Sequence, residues 1–282
     1  MKKLTLLLLL ILLLAGCVQL PIQQEAKDVK VELRLDSTNL QAGSKLGISL
    51  LIENYANFDI LNSTARIYGP SWVNEEEKSV PAYMLPLRKG SAYEFNWIVK
   101  VPSEEKYKKY YQIFSDVKYN AYNFRRVVIT GVSYEYYRRV GSVQSFSFSD
   151  SLGGPLEIEI VPYKSELIAH DEEKLPFKFA VIIRNKGSGK PCSDYASLNC
   201  SEDTFNEVLF GFRNETSQIE IECEKKGEIA LIKSKDYAHF DCIGNLTQVK
   251  DVSTQIVEFW INYTYIETLT SPQISVEPVG FH

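Results

Sequence analysis

Chemistry in this sequence is concentrated in its thiols. Of five cysteines, Cys17 stands alone behind a leucine run, while Cys192, Cys200, Cys223 and Cys242 fall in the C-terminal half. A thiolate is the side-chain nucleophile that attacks a lipid donor readily near neutral pH. Ala15 and Gly16 are small enough to let an enzyme reach Cys17, so lipid transfer is the chemistry this position suits. The remaining four cysteines are an even set with no Cys-x-x-Cys pair, which favours two disulfides over zinc. Of the three possible pairings, Cys192 with Cys200 closes a short loop and Cys223 with Cys242 joins neighbouring strands; these are the expected bonds.

Other candidates for chemistry are sparse. His170, His239 and His282 have no partner at metal or triad spacing, and His170 adjoins Asp171-Glu172-Glu173, which reads as a solvated acidic turn. No Gly-x-Ser-x-Gly elbow, phosphate loop or dinucleotide fingerprint is present. The oxygens of Asn54, Asn57 and Asp59 suit calcium, but Asn and Asp are also the ordinary residues of turns. Nothing supplies a nucleophile, a base and an orienting group together. The expectation is a noncatalytic protein with no cofactor and no metal.

The segment ahead of Cys17 sets the address. Lys2 and Lys3 precede an apolar run from Leu4 to Leu14, shorter than the roughly 20 residues that span a bilayer. Two cations, a short apolar core and small residues at its end mark a secretory signal, residues 1–16. Leu14-Ala15-Gly16-Cys17 resembles the lipobox of prokaryotic lipoproteins. The resemblance covers only the first twenty residues or so. It implies that Cys17 receives a diacylglyceryl group and becomes the mature N-terminus, lipid-anchored on the extracytoplasmic face of the membrane.

Removal of the signal leaves about 266 of the 282 residues, enough for two domains of ordinary size. Tyrosine is plentiful at 17 and methionine scarce at 2, a bias that suits strands. Residues 18–150 carry 17 Lys+Arg against 15 Asp+Glu, and residues 151–282 carry 12 against 21. A near-neutral first half can lie close to lipid headgroups or an acidic surface polymer, and the acidic second half resists nonspecific sticking. Nucleic acid is not an expected partner. Asn62, Asn199, Asn214, Asn245 and Asn262 head Asn-x-Ser/Thr sequons and are glycosylation candidates.

After a polar tether over residues 17–28, alternation takes over. Val29, Val31, Leu33 and Leu35 predict a half-buried strand; Leu46 to Ile52 predict a more buried one. Ala65 to Tyr68 and the series Tyr93, Phe95, Trp97, Val99, Val101 continue the pattern. From Ser103 to Phe114 the pattern changes. Ser103 can cap a helix, and Tyr107, Tyr110, Tyr111 and Phe114 recur at helical spacing. A short basic and aromatic helix is therefore expected. Tyr107, Lys108, Lys109, Tyr110 and Tyr111, with Arg125 and Arg126, make the candidate binding patch.

A linker at Asp150 to Pro155 separates a first unit, 29–150, from a second, 156–279. The second unit repeats the first at an offset of about 130 residues, the mark of a tandem duplication. Leu156, Ile158 and Ile160 echo the first strand, and Phe177 to Asn185 echoes Ile48 to Asn54. Tyr263-Thr264-Tyr265 is matched to Tyr134-Glu135-Tyr136, and Ile274-Ser275-Val276 to Phe146-Ser147-Phe148, with the tyrosines expected to brace corners. The strand from Phe177 that ends in Asn185-Lys186-Gly187 resembles the strand and Asn-x-Gly turn of immunoglobulin-like cell-surface modules, including S-layer-associated domains of archaea and bacteria. The resemblance implies an all-β chain of two tandem immunoglobulin-like antiparallel β-sandwiches and transfers no site residue. Those modules share an architecture more than a function. With a lipid anchor expected at Cys17 and no catalytic set in the sequence, the expected function is a membrane-tethered interaction or structural component of the envelope, with an envelope protein or surface glycan as partner. A self-assembling or adhesive module and an accessory subunit of an enzyme or transporter complex are the alternatives.

Overall fold

Period-two burial runs through most of the chain, and the structure follows it. The structure, a computed structural model, describes residues 29–170, 174–230, 237–247 and 249–279. The signal, Cys17 and the tether lie outside the described residues, as do Asp171-Glu172-Glu173 and His282.

The first half contributes β1 (Val29–Leu35), β2 (Asn39–Gln41), β3 (Lys45–Asn54), β4 (Ser63–Tyr68), β5 (Glu76–Ser79) and β6 (Ala92–Lys100). It continues through β7 (Lys109–Tyr111), β8 (Phe114–Ser133), helix α1 (Tyr134–Val140) and β9 (Phe146–Leu152). The second half contributes β10 (Leu156–Pro162), β11 (Ile168–Ala169), β12 (Lys174–Asn185), β13 (Lys190–Cys192) and β14 (Glu207–Asn214). It ends with β15 (Ile219–Cys223), β16 (Gly227–Ala230), β17 (Tyr237–Thr247), β18 (Val252–Thr270) and β19 (Ile274–Glu277). The chain is all-β with one short α-helix among the described residues.

Four sheets result. Strands β1-β3-β6 form one, β10-β12-β17-β15 another, and β2-β19-β7 a small third. The fourth runs β16-β14-β18-β8-β4-β5, with β9, β11 and β13 attached to its long central strands. Those strands, β8 of 20 residues and β18 of 19, pair antiparallel from Phe114↔Thr270 to Val132↔Val252. At about 3.3 Å per residue each is roughly 65 Å long. The two halves therefore share one sheet, and strand pairing crosses the expected boundary at 150–155. Strand β19 crosses it too, because Ile274 to Val276 pairs with β7 and Ser275 to Glu277 with β2, both of the first half. Part of the expected linker is strand, since β9 extends to Leu152.

Core residues explain the pairing. On β8, Val117, Tyr119, Ala121, Val127 and Ile129 are buried on one face, and on β18 so are Val257, Phe259, Ile261, Tyr263 and Tyr265. The β1-β3-β6 sheet brings Leu46, Ile48, Leu50, Ile52, Phe95 and Trp97 to the same hydrophobic cluster, and the β10-β12-β17-β15 sheet brings Phe177, Phe179, Val181 and Phe240. Aromatic contacts continue through it, with Phe179 against Phe259 at 5.5 Å and Phe210 against Phe240 at 5.0 Å. Each such buried ring contributes on the order of 1.5–3 kcal/mol of burial. One continuous core, rather than one per half, is the result.

Two expectations fail locally. The helix predicted over Ser103 to Phe114 is absent: β7 is a strand paired with β19, and Phe114 already belongs to β8. A ladder partner from the far end of the chain decides this segment, not its aromatic spacing. Conversely, Tyr134 to Tyr136 are not strand but the first turn of α1. Ser133 accepts a hydrogen bond from the Tyr136 amide, and Gly141 ends the helix with φ of 82°. The proposed equivalence of these tyrosines with Tyr263 and Tyr265, which lie within β18, is therefore wrong.

Candidate functional site

Consecutive residues on a strand point to opposite faces, and this separates Arg125 from Arg126. Arg126 lies directly opposite Glu258 on β18, and Glu258 directly opposite Arg213 on β14. The Glu258 carboxylate is buried and accepts from Arg126 Nε at 2.9 Å, Arg213 at 2.7 Å and the Tyr122 hydroxyl at 3.0 Å. Burial alone would raise this carboxyl. The hydrogen bonds from Arg213, Tyr122 and Arg126 outweigh it and hold it below the ordinary carboxylate range. Burial, followed by the hydrogen bond to Glu258, pushes Tyr122 up to about 12. Arg126 also reaches Asp150 at 3.5 Å. Arg126 is thus part of a clamp across β9, β8, β18 and β14.

The aromatic and basic segment sits elsewhere. Arg125 is eleven positions along β8 from Phe114, roughly 36 Å, so the expected patch is two separate surfaces. In the first, Tyr107 and Tyr110 are exposed at 77% and 57%. Lys108 Nζ lies 2.9 Å from Glu277 and Lys109 Nζ 2.6 Å from Glu105. Tyr111 turns inward: its hydroxyl donates to Glu105 at 2.6 Å and its ring meets Trp72 edge-on at 5.5 Å. Hydrogen bonds from Lys109 and Tyr111 lower the Glu105 carboxyl.

Arg125 faces the other way, into a cleft of about 470 Å³ lined by Phe148, Glu157 to Ile160, Arg184 and Lys186. Strand β9 supplies one wall and the edge strand β10 the other. The Arg125 guanidinium lies over the Phe148 ring, 4.6 Å from its centroid. Its Nε is enclosed and makes no hydrogen bond, a condition that costs about 1–3 kcal/mol. Across the ladder Glu157 is opposite Arg184. Arg184 lies 3.2 Å from Glu159 and Lys186 lies 2.5 Å from Glu157. These are exposed pairs, easily redirected. Arg125 was singled out in the sequence; the residues around it were not. Glu157 and Glu159 alternate with buried Ile158 and Ile160, so their outward direction was legible, but their meeting with Arg184 and Lys186 depends on strand register.

The remaining candidates fall into place individually. Cys192 is bonded to Cys200 and Cys223 to Cys242; the latter pair is also directly opposite on β15 and β17. Tyr263 donates to Asn123 at 2.7 Å and accepts from the Leu156 amide, and Asn123 Nδ2 donates to the Leu156 carbonyl. Tyr265 donates to Asn185 at 3.0 Å. Tyr263 thus braces the junction of the halves, while the Tyr265 hydroxyl braces the Asn185 turn within the second half. Asn54 closes its turn, accepting from Ala56 and donating to Phe58 and Leu87 carbonyls, while Asn57 accepts from Lys89. Asn185 makes the same turn, accepting from Gly187 and donating to Gly189. Among the described residues no cluster of three His, Cys, Asp or Glu can hold a metal, and no helix is long and apolar enough to cross a membrane.

Among the sequons, Asn199 is exposed, whereas Asn62, Asn245 and Asn262 are half-buried. Asn214 is also half-buried, and its Nδ2 is held by the Ile219 carbonyl at 2.9 Å.

No family model and no curated protein matches the chain. Solved structures with some similarity include a red sea bream transglutaminase, at 6% identity and a TM-score of 0.23, covering 90% of this chain and 31% of that one. Another is the secreted serine protease VesC from Vibrio cholerae, at 12% identity and 0.21, covering 86% and 51%. A third is the sporulation control protein Spo0M from Bacillus subtilis, at 9% and 0.19, covering 57% and 76%. The chain spans about a third to a half of the first two proteins. Likeness at this level carries no argument about fold or function.

Proposed function

We propose that this chain is a noncatalytic, membrane-tethered surface protein that serves as an interaction or structural component of the cell envelope. Its partner is an envelope protein or a surface glycan. The observation that carries the reading is the pair of disulfides, Cys192–Cys200 and Cys223–Cys242, which belong to an oxidising, extracytoplasmic compartment. The Leu14-Ala15-Gly16-Cys17 motif supplies the matching anchor, a lipid on Cys17. The tether then joins the body at Val29, which pairs with Asn54. The segment that leads to Tyr107 and Tyr110 leaves from the other end of the β1-β3-β6 sheet, where Gly43 donates to Pro102 and Val101 to Ser44.

Two finer readings belong with this. The two halves derive from one immunoglobulin-like unit; the matching side-chain turns at Asn54 and Asn185 support the duplication. Glycan attachment, where the host provides it, is at Asn199, because its side chain is exposed in the loop closed by Cys192–Cys200.

Chemical cross-linking on intact cells, followed by identification of what is attached, tests the proposal. A recurrent envelope protein or glycan is the expected result, and cross-links confined to cytoplasmic proteins would overturn it. Cross-links only between copies would favour self-assembly instead. That reading is the weaker one, since Lys78 covers part of the β6 edge by donating to the Asn96 carbonyl at 2.7 Å.

A further inference from the structure

We infer that the cleft between β9 and β10 binds a carboxylate-bearing sugar, of the uronic acid type, through Arg125. This deepens the envelope-interaction reading and rests on it for the source of the ligand.

Three observations converge. The first is the guanidinium itself, which lies on the Phe148 ring with an enclosed Nε that has no hydrogen-bond partner. The enclosed Nε is out of a ligand's reach, so the two terminal nitrogens of this planar guanidinium are what a carboxylate in the cleft meets, through two parallel hydrogen bonds. Arg184 and Lys186 add positive charge to the same cleft. The second is that the cleft is not uniformly basic, because Glu157 and Glu159 stand beside those cations. A densely charged polyanion, such as an acidic peptide run or a phosphate chain, meets these carboxylates as like charges. Hydroxyl groups instead donate to them. The third is the Phe148 ring, which remains 44% exposed and offers an apolar surface to the C–H face of a pyranose. One carboxylate, several hydroxyl donors and an apolar face describe an acidic sugar. The volume of about 470 Å³ is within the range of small-molecule sites.

Calorimetric titration of the full-length protein in detergent with oligogalacturonate tests this, with neutral galactose oligomers and polyglutamate as comparisons. Saturable binding of the oligogalacturonate is expected, at least about tenfold tighter than either comparison, as one charge-assisted interaction gives. Arg125→Ala weakens it about tenfold or more, and Arg125→Lys, which keeps the charge but loses the fork, falls between. Lys186→Gln weakens it less, on a residue whose loss leaves the core untouched. Arg138→Ala, on exposed α1 away from the cleft, binds as the parent does. Far-ultraviolet circular dichroism confirms that each variant is folded. Absence of saturable binding, equal binding of either comparison, or undiminished affinity in folded Arg125→Ala and Lys186→Gln would each overturn the inference. Cross-linking on cells reads the envelope location independently, so the two proposals fail separately.

Discussion

Arg125 and Arg126 share a strand and differ in everything the strand's pleat controls. Arg126 is engaged by Glu258 and Asp150, while Arg125 stacks on Phe148 with its Nε unpaired. A residue kept at a cost to stability is the kind that binding retains. Arg125→Met is therefore expected to melt no lower than the parent and to gain about 1 kcal/mol, the net value of relieving one enclosed donor. Thermal denaturation checks this. At the clamp the sign reverses: Glu258→Ala leaves Arg126 and Arg213 without their shared acceptor and is expected to lose about 3 kcal/mol in denaturant unfolding.

The same clamp sets a pH window. Because the folded Glu258 pKa is depressed, its contribution is present above the unfolded value of about 4.3 and lost as pH falls through the folded one. Tyr122 is raised to about 12, so its contribution is present below the unfolded value of about 10 and lost as pH rises toward the folded one. Melting temperature should fall on both sides of a neutral plateau. Tyr122→Phe should make the alkaline fall shallower and, by removing one of the hydrogen bonds that depress Glu258, reduce the acid fall as well.

Strands were the most legible elements, because alternation is local. Tyr93 to Val101 shows it plainly: Phe95, Trp97, Val99 and Val101 are buried, and the residues between them are exposed. The cysteine pairs were legible for a related reason, since small loops and adjacent strands limit the choices. Pairing between distant strands was not. Nothing local to Phe114–Ser133 says that its neighbour is Val252–Thr270, and β19 reached β7 only because the whole sheet brought it there. The aromatic series 107, 110, 111, 114 fits a helix as readily as a strand end, and the tertiary partner decided. Helix α1 did have a local signature in Ser133 and Gly141, but its tyrosines, good strand formers, masked it. The candidate site was half legible: Arg125 was visible, its cleft was not.

Element energetics give a further prediction. Breaking Cys223–Cys242, separated by 19 residues, with the double change Cys223→Ser and Cys242→Ser should cost about 3 kcal/mol by loop entropy. The shorter Cys192–Cys200 loop should cost somewhat less. Denaturant midpoints of the two double variants read the difference.

For the chain as a whole, the shared sheet makes the halves one cooperative body. Tyr263, Asn123 and Leu156 are hydrogen-bonded across the junction, and the core is continuous. Calorimetry should show a single unfolding transition. Residues 29–154 expressed alone should fail to fold, because β18, the partner along nearly the whole of β8, is missing and leaves that long strand's edge bare. Two resolved transitions, or a folded half, would show the halves to be independent.

The envelope assignment depends on how this body is held, and mass spectrometry of the protein extracted from membranes measures that directly. The prediction is a mature chain beginning at Cys17 and carrying the added mass of a lipid on that residue. A mature chain that starts elsewhere, or one whose Cys17 is unmodified, would contradict the account.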